Sequence, residues 1–241
     1  MKYSGTRNNF RRAASGLAAF ALGLFLSAPA WANPAAGDAK ELRKQAERAM
    51  KMGEYAQAEE LYQQLVKSDP KDAKSRFLID FTLQLAKETG IKICHETHRS
   101  RMLFAAPVAK KFLQQIPDLR ITLDISHWCN VSESLLADQQ ETVNLAIQRT
   151  DHLHARIGHA EGPQVSDPRA PEWDDAVKAH FAWWDAVVSI KKQKGEVLTV
   201  LTEFGPPDYM PTIPYTRQPL ADQWAINVYM MHLLRKRYSP S

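Results

Sequence analysis

The chain has 241 residues, enough for one full-sized domain or for a small domain joined to a medium one. Its composition, 44% hydrophobic and 24% charged, excludes a disordered or fibrous chain. The net charge of +4 does not argue for a nucleic-acid-binding surface. Residues 1–32 hold four basic side chains (Lys2, Arg7, Arg11, Arg12) and no acid, which leaves 27 of the 31 basic residues against 27 acids in the remainder.

Those first residues read as a secretory signal peptide over 1–32. A basic start is followed by the apolar run GLAAFALGLFLSA (16–28) and then by the small-x-small site Ala30-Trp31-Ala32. The run is too short to span a bilayer, which takes about 20 residues. The expectation is cleavage after Ala32, no stable membrane insertion, and export to the periplasm. The two cysteines, Cys94 and Cys129, could then pair, but the sequence leaves that open.

Residues 33–38 (NPAAGD) read as a linker and 39–70 as a helical hairpin. One helix covers about 39–51, a break falls at Gly53, and a second helix covers about 55–67 before Asp69-Pro70 stops it. Leu42, Ala46, Ala49, Ala58, Tyr62 and Leu65 lie at helical spacing on faces that can pack together. Ala46, Gly53, Tyr55, Ala58, Tyr62 and Pro70 make the stretch resemble a single tetratricopeptide repeat. Such repeats need neighbours to bury their faces, so the hairpin is expected to pack on the following domain or on a protein partner.

Residues 73–89 predict a further amphipathic helix ended by Gly90. From there strands and helices alternate. Strands are predicted at Ile91–Glu96, Arg120–Ser126, His152–Ile157 and Val197–Phe204, with helices near 105–115, 132–149, 172–193 and 219–237. This order means βα units on a parallel sheet. The fold class is therefore α/β, a partial (half) TIM barrel of about four βα units over 71–241, preceded by the α-helical hairpin.

Each predicted strand carries a polar, metal-capable residue at its end or within it: Glu96, Asp124, His154 and Glu203. Parallel strands put their C-terminal ends on one face, where α/β barrels place their sites. Three carboxylates and an imidazole suit a divalent cation, Mn²⁺ first, with Mg²⁺, Co²⁺ or Zn²⁺ as alternatives. Four such residues at one end of four consecutive strands carry far more weight than one, and burying these carboxylates without a cation is expensive. His159, Glu161 and Arg169 follow the third strand and are candidates to bind hydroxyls or a phosphate.

The segments HETHR (95–99), LDISHW (123–128), HLHARIGHAEGPQVSDPRAPEW (152–173) and TEFGPPDYMPTIPYTRQPLADQW (202–224) make residues 91–238 resemble the xylose-isomerase-like barrel family, most closely its sugar phosphate isomerase/epimerase members. The resemblance implies that Glu96, Asp124, His154 and Glu203 are metal ligands. It implies that Glu96 and Glu203 form the catalytic acid/base pair, and that His127 binds substrate oxygens or a second metal. The nuclease branch has a further Asp-x-His where this chain has Asp167-Pro168-Arg169, so a nucleic-acid substrate is not expected. The four ligand-bearing strands correspond to the last four of an eight-stranded barrel.

The leading expectation is a metal-dependent sugar or sugar phosphate isomerase/epimerase. The alternative is a non-catalytic exported repeat protein with a remnant metal-binding fragment. Four βα units leave two raw sheet edges, with Cys94, Thr122 and Leu201 lining an open trough below the ligands. A homodimer that completes an eight-stranded barrel is the expected way to close it. His95, His98, His152 and His180 are left unassigned, with packing as the default for His180 on its helix.

Overall fold

A computed structural model of the chain describes residues 36–66 and 70–239. The signal peptide expected at 1–32 lies outside the described residues. Among the described residues no helix is long and apolar enough to cross a membrane.

The described residues begin with three helices: α1 (Ala36–Lys51), α2 (Tyr55–Val66) and α3 (Pro70–Thr89). Gly53 makes the turn between the first two with φ +76°, a left-handed conformation that costs other residues far more than glycine. The helices bury Ala46, Ala49, Met50, Ala58, Tyr62 and Leu65, and Phe77 and Phe81 of α3 pack against that cluster. Tyr55 donates to Glu88 at 2.6 Å, and Tyr62 donates to Asp80. The hairpin is thus covered by the helix that follows it. Pro70 does not simply stop the second helix. It opens the third, at a position where its missing N–H costs nothing.

The opposite face of α3 belongs to the larger core. Ile79 is fully buried there and Leu83 packs beside it. Thr82 Oγ1 lies 2.7 Å from a ring nitrogen of His95, joining α3 to the first strand.

Four strands follow: β1 (His95–Glu96), β2 (Ile121–Leu123), β3 (Thr150–His154) and β4 (Thr199–Leu201). They pair in the order β1-β2-β3-β4, every pair parallel. The helices between and after them are α4 (Ala106–Gln115), α5 (Ile125–Val131), α6 (Gln140–Arg149), α7 (Asp174–Lys194) and α8 (Gln223–Tyr238). The sheet is therefore the α/β, parallel arrangement expected, as an open set of four strands. Leu119, Ile121, Leu123 and Leu153 are wholly buried in its core together with Trp128 and Trp184. The burial along β2 and most of β3 is the mark of parallel strands covered by crossover helices.

The strands are shorter than their sequence patterns. Asp124 is the reason on β2: its carboxylate accepts from the Ser126 N–H at 3.2 Å and caps α5, so the expected strand 120–126 turns helical at 125. The helix expected over 132–149 starts later, at Gln140 as α6, and α5 (Ile125–Val131) is an extra helix ahead of it. On the trough face Thr122 is buried, whereas Leu201 is 48% exposed and all three β4 residues are exposed. Cys94 and Cys129 are free thiols, half-buried and buried respectively.

At the N-terminal end of the sheet Asp151 is buried among cations. Arg120 donates to it twice, at 2.9 and 2.7 Å, Lys191 also donates to it, and Lys92 stands 3.7 Å away. Lys191 is itself buried and also pairs with Glu196 at 2.6 Å.

Candidate metal centre

The C-terminal ends of the four strands bring Glu96, Asp124, His154 and Glu203 together. One ligand atom from each lies within 4.8 Å of all the others. The sheet itself produces this convergence: Glu96 ends β1, Asp124 follows β2, His154 ends β3, and Glu203 comes two residues after β4.

Side chains lengthen the ladder where the strands stop. Thr97 Oγ1 donates to the Asp124 carbonyl at 2.8 Å and accepts from the Asp124 N–H at 2.9 Å. Thr97 is fully buried, and this pair of bonds fixes the backbone of Asp124 against the end of β1. The Asp124 carboxylate is also fully buried. One oxygen takes the Ser126 N–H and hydroxyl, and the other takes the Arg156 guanidinium. A carboxylate this well bonded is held in one orientation.

His154 Nδ1 lies 2.5 Å from Glu203 Oε2, 3.1 Å from Glu96 Oε1 and 4.0 Å from Asp124 Oδ2. Burial works against charge on the ring, but the bonds to Glu203 and Glu96 outweigh it and push its pKa up to about 9. The same His154 bond holds the Glu96 carboxyl below its usual range, against the opposing effect of burial. Three carboxylates therefore recruit a proton onto the imidazole. That is the behaviour of a donor set short of positive charge, and its ligand types fit a divalent cation.

His127 also lies beside the cluster. Its Nε2 lies 3.6 Å from Asp124 Oδ2 and accepts from Arg156 at 2.7 Å. Burial first, then the Arg156 charge, push its pKa down to about 3, although Asp124 pulls the other way. The ring is therefore neutral, and an Nε2 that accepts leaves the proton on Nδ1. The His98 ring sits 4.0 Å away, and His98 Nε2 is 3.1 Å from the Tyr209 hydroxyl.

Three neighbours of the cluster were missed from sequence. Arg156 lies two residues beyond His154, on the same side of the chain by the alternation of extended backbone, and that spacing was the signal available. Its guanidinium is buried and stacks 4.5 Å from the Tyr209 ring. Thr97 and Tyr209 gave no such signal, because each is brought in by the packing of loops.

The candidates on the loop after β3 bond locally. The Glu161 N–H donates to His159 Nδ1 at 3.3 Å, and the His159 ring packs on Trp173. Arg169 is paired with Asp167 at 2.6 Å and lies over the Tyr229 ring. None of the hydrogen bonds or ion pairs described for His159, Glu161 or Arg169 reaches the four-residue cluster. Of the unassigned histidines, His180 is a satisfied core residue: Nδ1 donates to the Ala176 carbonyl at 2.8 Å, and Nε2 accepts from the Gly158 N–H at 3.2 Å. His152 lies 2.6 Å from Thr199 Oγ1.

Comparison with protein-family models, with curated proteins and with solved structures finds no match in any of the three.

Proposed function

We propose that the chain is a divalent-metal-dependent isomerase or epimerase of sugars or sugar phosphates, built as a half barrel of the xylose-isomerase-like type. The observation that carries this reading is the convergence of Glu96, Asp124, His154 and Glu203 within 4.8 Å at one end of four consecutive parallel strands. These four residues would hold the cation, with Mn²⁺ the first choice. A bound cation would polarise a carbonyl and its neighbouring hydroxyl, making the adjacent carbon acidic.

The protein's own groups supply the rest. Glu96 and Glu203 reach the cluster from the two outer strands of the sheet. A carboxylate on each side of a bound sugar lets one remove the proton next to the carbonyl and the other return it. His127, whose buried ring packs beside Asp124 and Arg156, is kept as the residue that the resemblance implies for a substrate oxygen or a second metal. Arg156 keeps Asp124 and His127 in place. His159, Glu161 and Arg169 remain candidates for the far end of the substrate.

Two further parts of the reading concern assembly and location. The sheet ends on β1 and β4, and β4 is exposed with Val200 at 40% and Leu201 at 48%. Exposed parallel edge strands are templates for pairing, and a second copy would offer edges of matching direction. The export signal at 1–32 and the repeat-like hairpin belong to the same proposal, with the hairpin available to a protein partner.

The competing reading is a non-catalytic exported protein whose sheet is a remnant that binds metal. The short, exposed β4 favours it. The deciding experiment follows solvent deuterium into the carbon next to the carbonyl of ketoses and their phosphates, with Mn²⁺, Mg²⁺, Co²⁺ or Zn²⁺ added. An enzyme incorporates deuterium, loses the activity to a chelator, and falls at least about 100-fold in Glu203→Gln. Bound Mn²⁺ with no exchange from any sugar selects the remnant. No bound metal even after soaking with Mn²⁺ overturns both.

A further inference from the structure

Glu203 is the one residue of the cluster with a left-handed backbone, at φ +56°. A non-glycine residue there carries strain that the surroundings must over-determine. β4 has already ended at Leu201, so no strand ladder holds the segment.

Side-chain amides take the ladder's place. The Phe204 N–H donates to Asn227 Oδ1 at 2.9 Å, and the Gly205 N–H donates to Gln164 Oε1 at 2.7 Å. The Phe204 carbonyl accepts from Asn227 Nδ2 at 2.8 Å and from Gln223 Nε2 at 2.5 Å. The Gly205 carbonyl accepts from Gln164 Nε2 at 3.1 Å. Both backbone donors and both backbone acceptors of the two residues after Glu203 are thus bound by three amides. Gln164 comes from the loop after β3, and Gln223 and Asn227 come from α8. Gln164 is buried at 3% exposure, and Asn227 Nδ2 is also tied to the Gln223 carbonyl at 3.1 Å, so the amides are themselves fixed. An amide presents a donor and an acceptor side by side, which is the pattern a neighbouring strand would offer.

We propose that Gln164 and Asn227, with Gln223 in support, are positioning residues that lock the strained backbone of Glu203 and so aim its carboxylate at the cluster. The inference rests on the metal-centre reading. None of the hydrogen bonds described for these amides reaches a side chain of the cluster, so in this proposal they act through Glu203. Groups that orient a metal ligand typically change affinity 10- to 100-fold when lost.

The test is titration of Mn²⁺ alone into the full chain and four variants: Asn227→Leu, Gln164→Leu, Glu203→Gln, and Asn227→Leu combined with Glu203→Gln. Thermal melting of each is recorded alongside. Each amide variant is expected to weaken Mn²⁺ binding about 10-fold in the presence of Glu203. In the Glu203→Gln background Asn227→Leu is expected to change the affinity less than about 2-fold, because the residue it acts through is gone. Equal loss in both backgrounds would be generic destabilisation and overturns the proposal while leaving the metal centre standing. An unchanged affinity in both amide variants overturns it as well. A wild-type chain that binds no Mn²⁺ removes the metal centre and this proposal together. Gln164 lies on a different element from Asn227, so failure of one variant to fold leaves the other to decide.

Discussion

The two ends of the same sheet both gather buried charge, and they balance it in opposite ways. At the N-terminal end Asp151 and Glu196 face three permanent cations, Arg120, Lys191 and Lys92. Burial alone would raise the Asp151 carboxyl, but the Arg120 and Lys191 bonds hold it well below its ordinary range. At the C-terminal end three carboxylates share one permanent cation, Arg156, and draw the missing charge onto His154 as a proton. A saturated cluster stabilises; a cluster short of positive charge is poised to take a cation.

The largest effect should come from breaking the saturated end. Asp151→Asn leaves Lys191 buried with its main partner neutralised and is expected to cost about 3–5 kcal/mol. Glu96→Gln at the other end, measured without metal, is expected to change stability by less than about 1 kcal/mol. Urea unfolding of the two variants makes the comparison. Similar losses would mean that both clusters are structural.

A second test uses a histidine that recruits no proton. His180 is fully buried, and that burial pushes its pKa down from 6.5 to about 4. The unfolded chain accepts a proton near pH 6.5, while the folded chain resists until about pH 4. Its contribution is therefore complete above pH 6.5 and is lost as the pH falls through about 4. Between pH 7 and 4.5 the loss should reach about 2.5 kcal/mol. The same urea series on His180→Phe should show a correspondingly smaller acid loss. An unchanged slope would mean that His180 is not held neutral.

The smallest effect on stability is expected at β4, whose three residues are all exposed. Val200→Lys should shift the stability of the single chain by no more than about 0.5 kcal/mol. It should nonetheless block pairing of a second copy along the edge. Light scattering at micromolar concentration reads this directly: a wild-type dimer that becomes a monomer in Val200→Lys supports barrel completion. A wild-type monomer removes it.

The sheet and the cluster at its C-terminal end were legible because periodicity and position carried the information. Alternating strands and helices marked a parallel α/β arrangement, and a polar residue at the end of each apolar strand or within it marked Glu96, Asp124, His154 and Glu203. The exact strand ends were not legible. RITLDIS reads as one continuous strand, yet Asp124 caps α5 and converts its last two residues to helix. Likewise, α3 reads as an ordinary amphipathic helix, but it has two buried faces, with Phe77 and Phe81 toward α1 and α2 and Ile79 toward the sheet.

By itself the sequence pointed to the four side chains that meet, because parallel strands put their C-terminal ends on one face of the sheet. Only the tertiary structure decided how they are held. Thr97 bonds Asp124 from 27 residues away, Arg156 bonds it from 32, and the amide of Gln164 bonds Gly205, just after Glu203, from 41. Hydrogen bonds at that separation depend on where loops and helices come to rest on the sheet, and no local pattern of residue types encodes that.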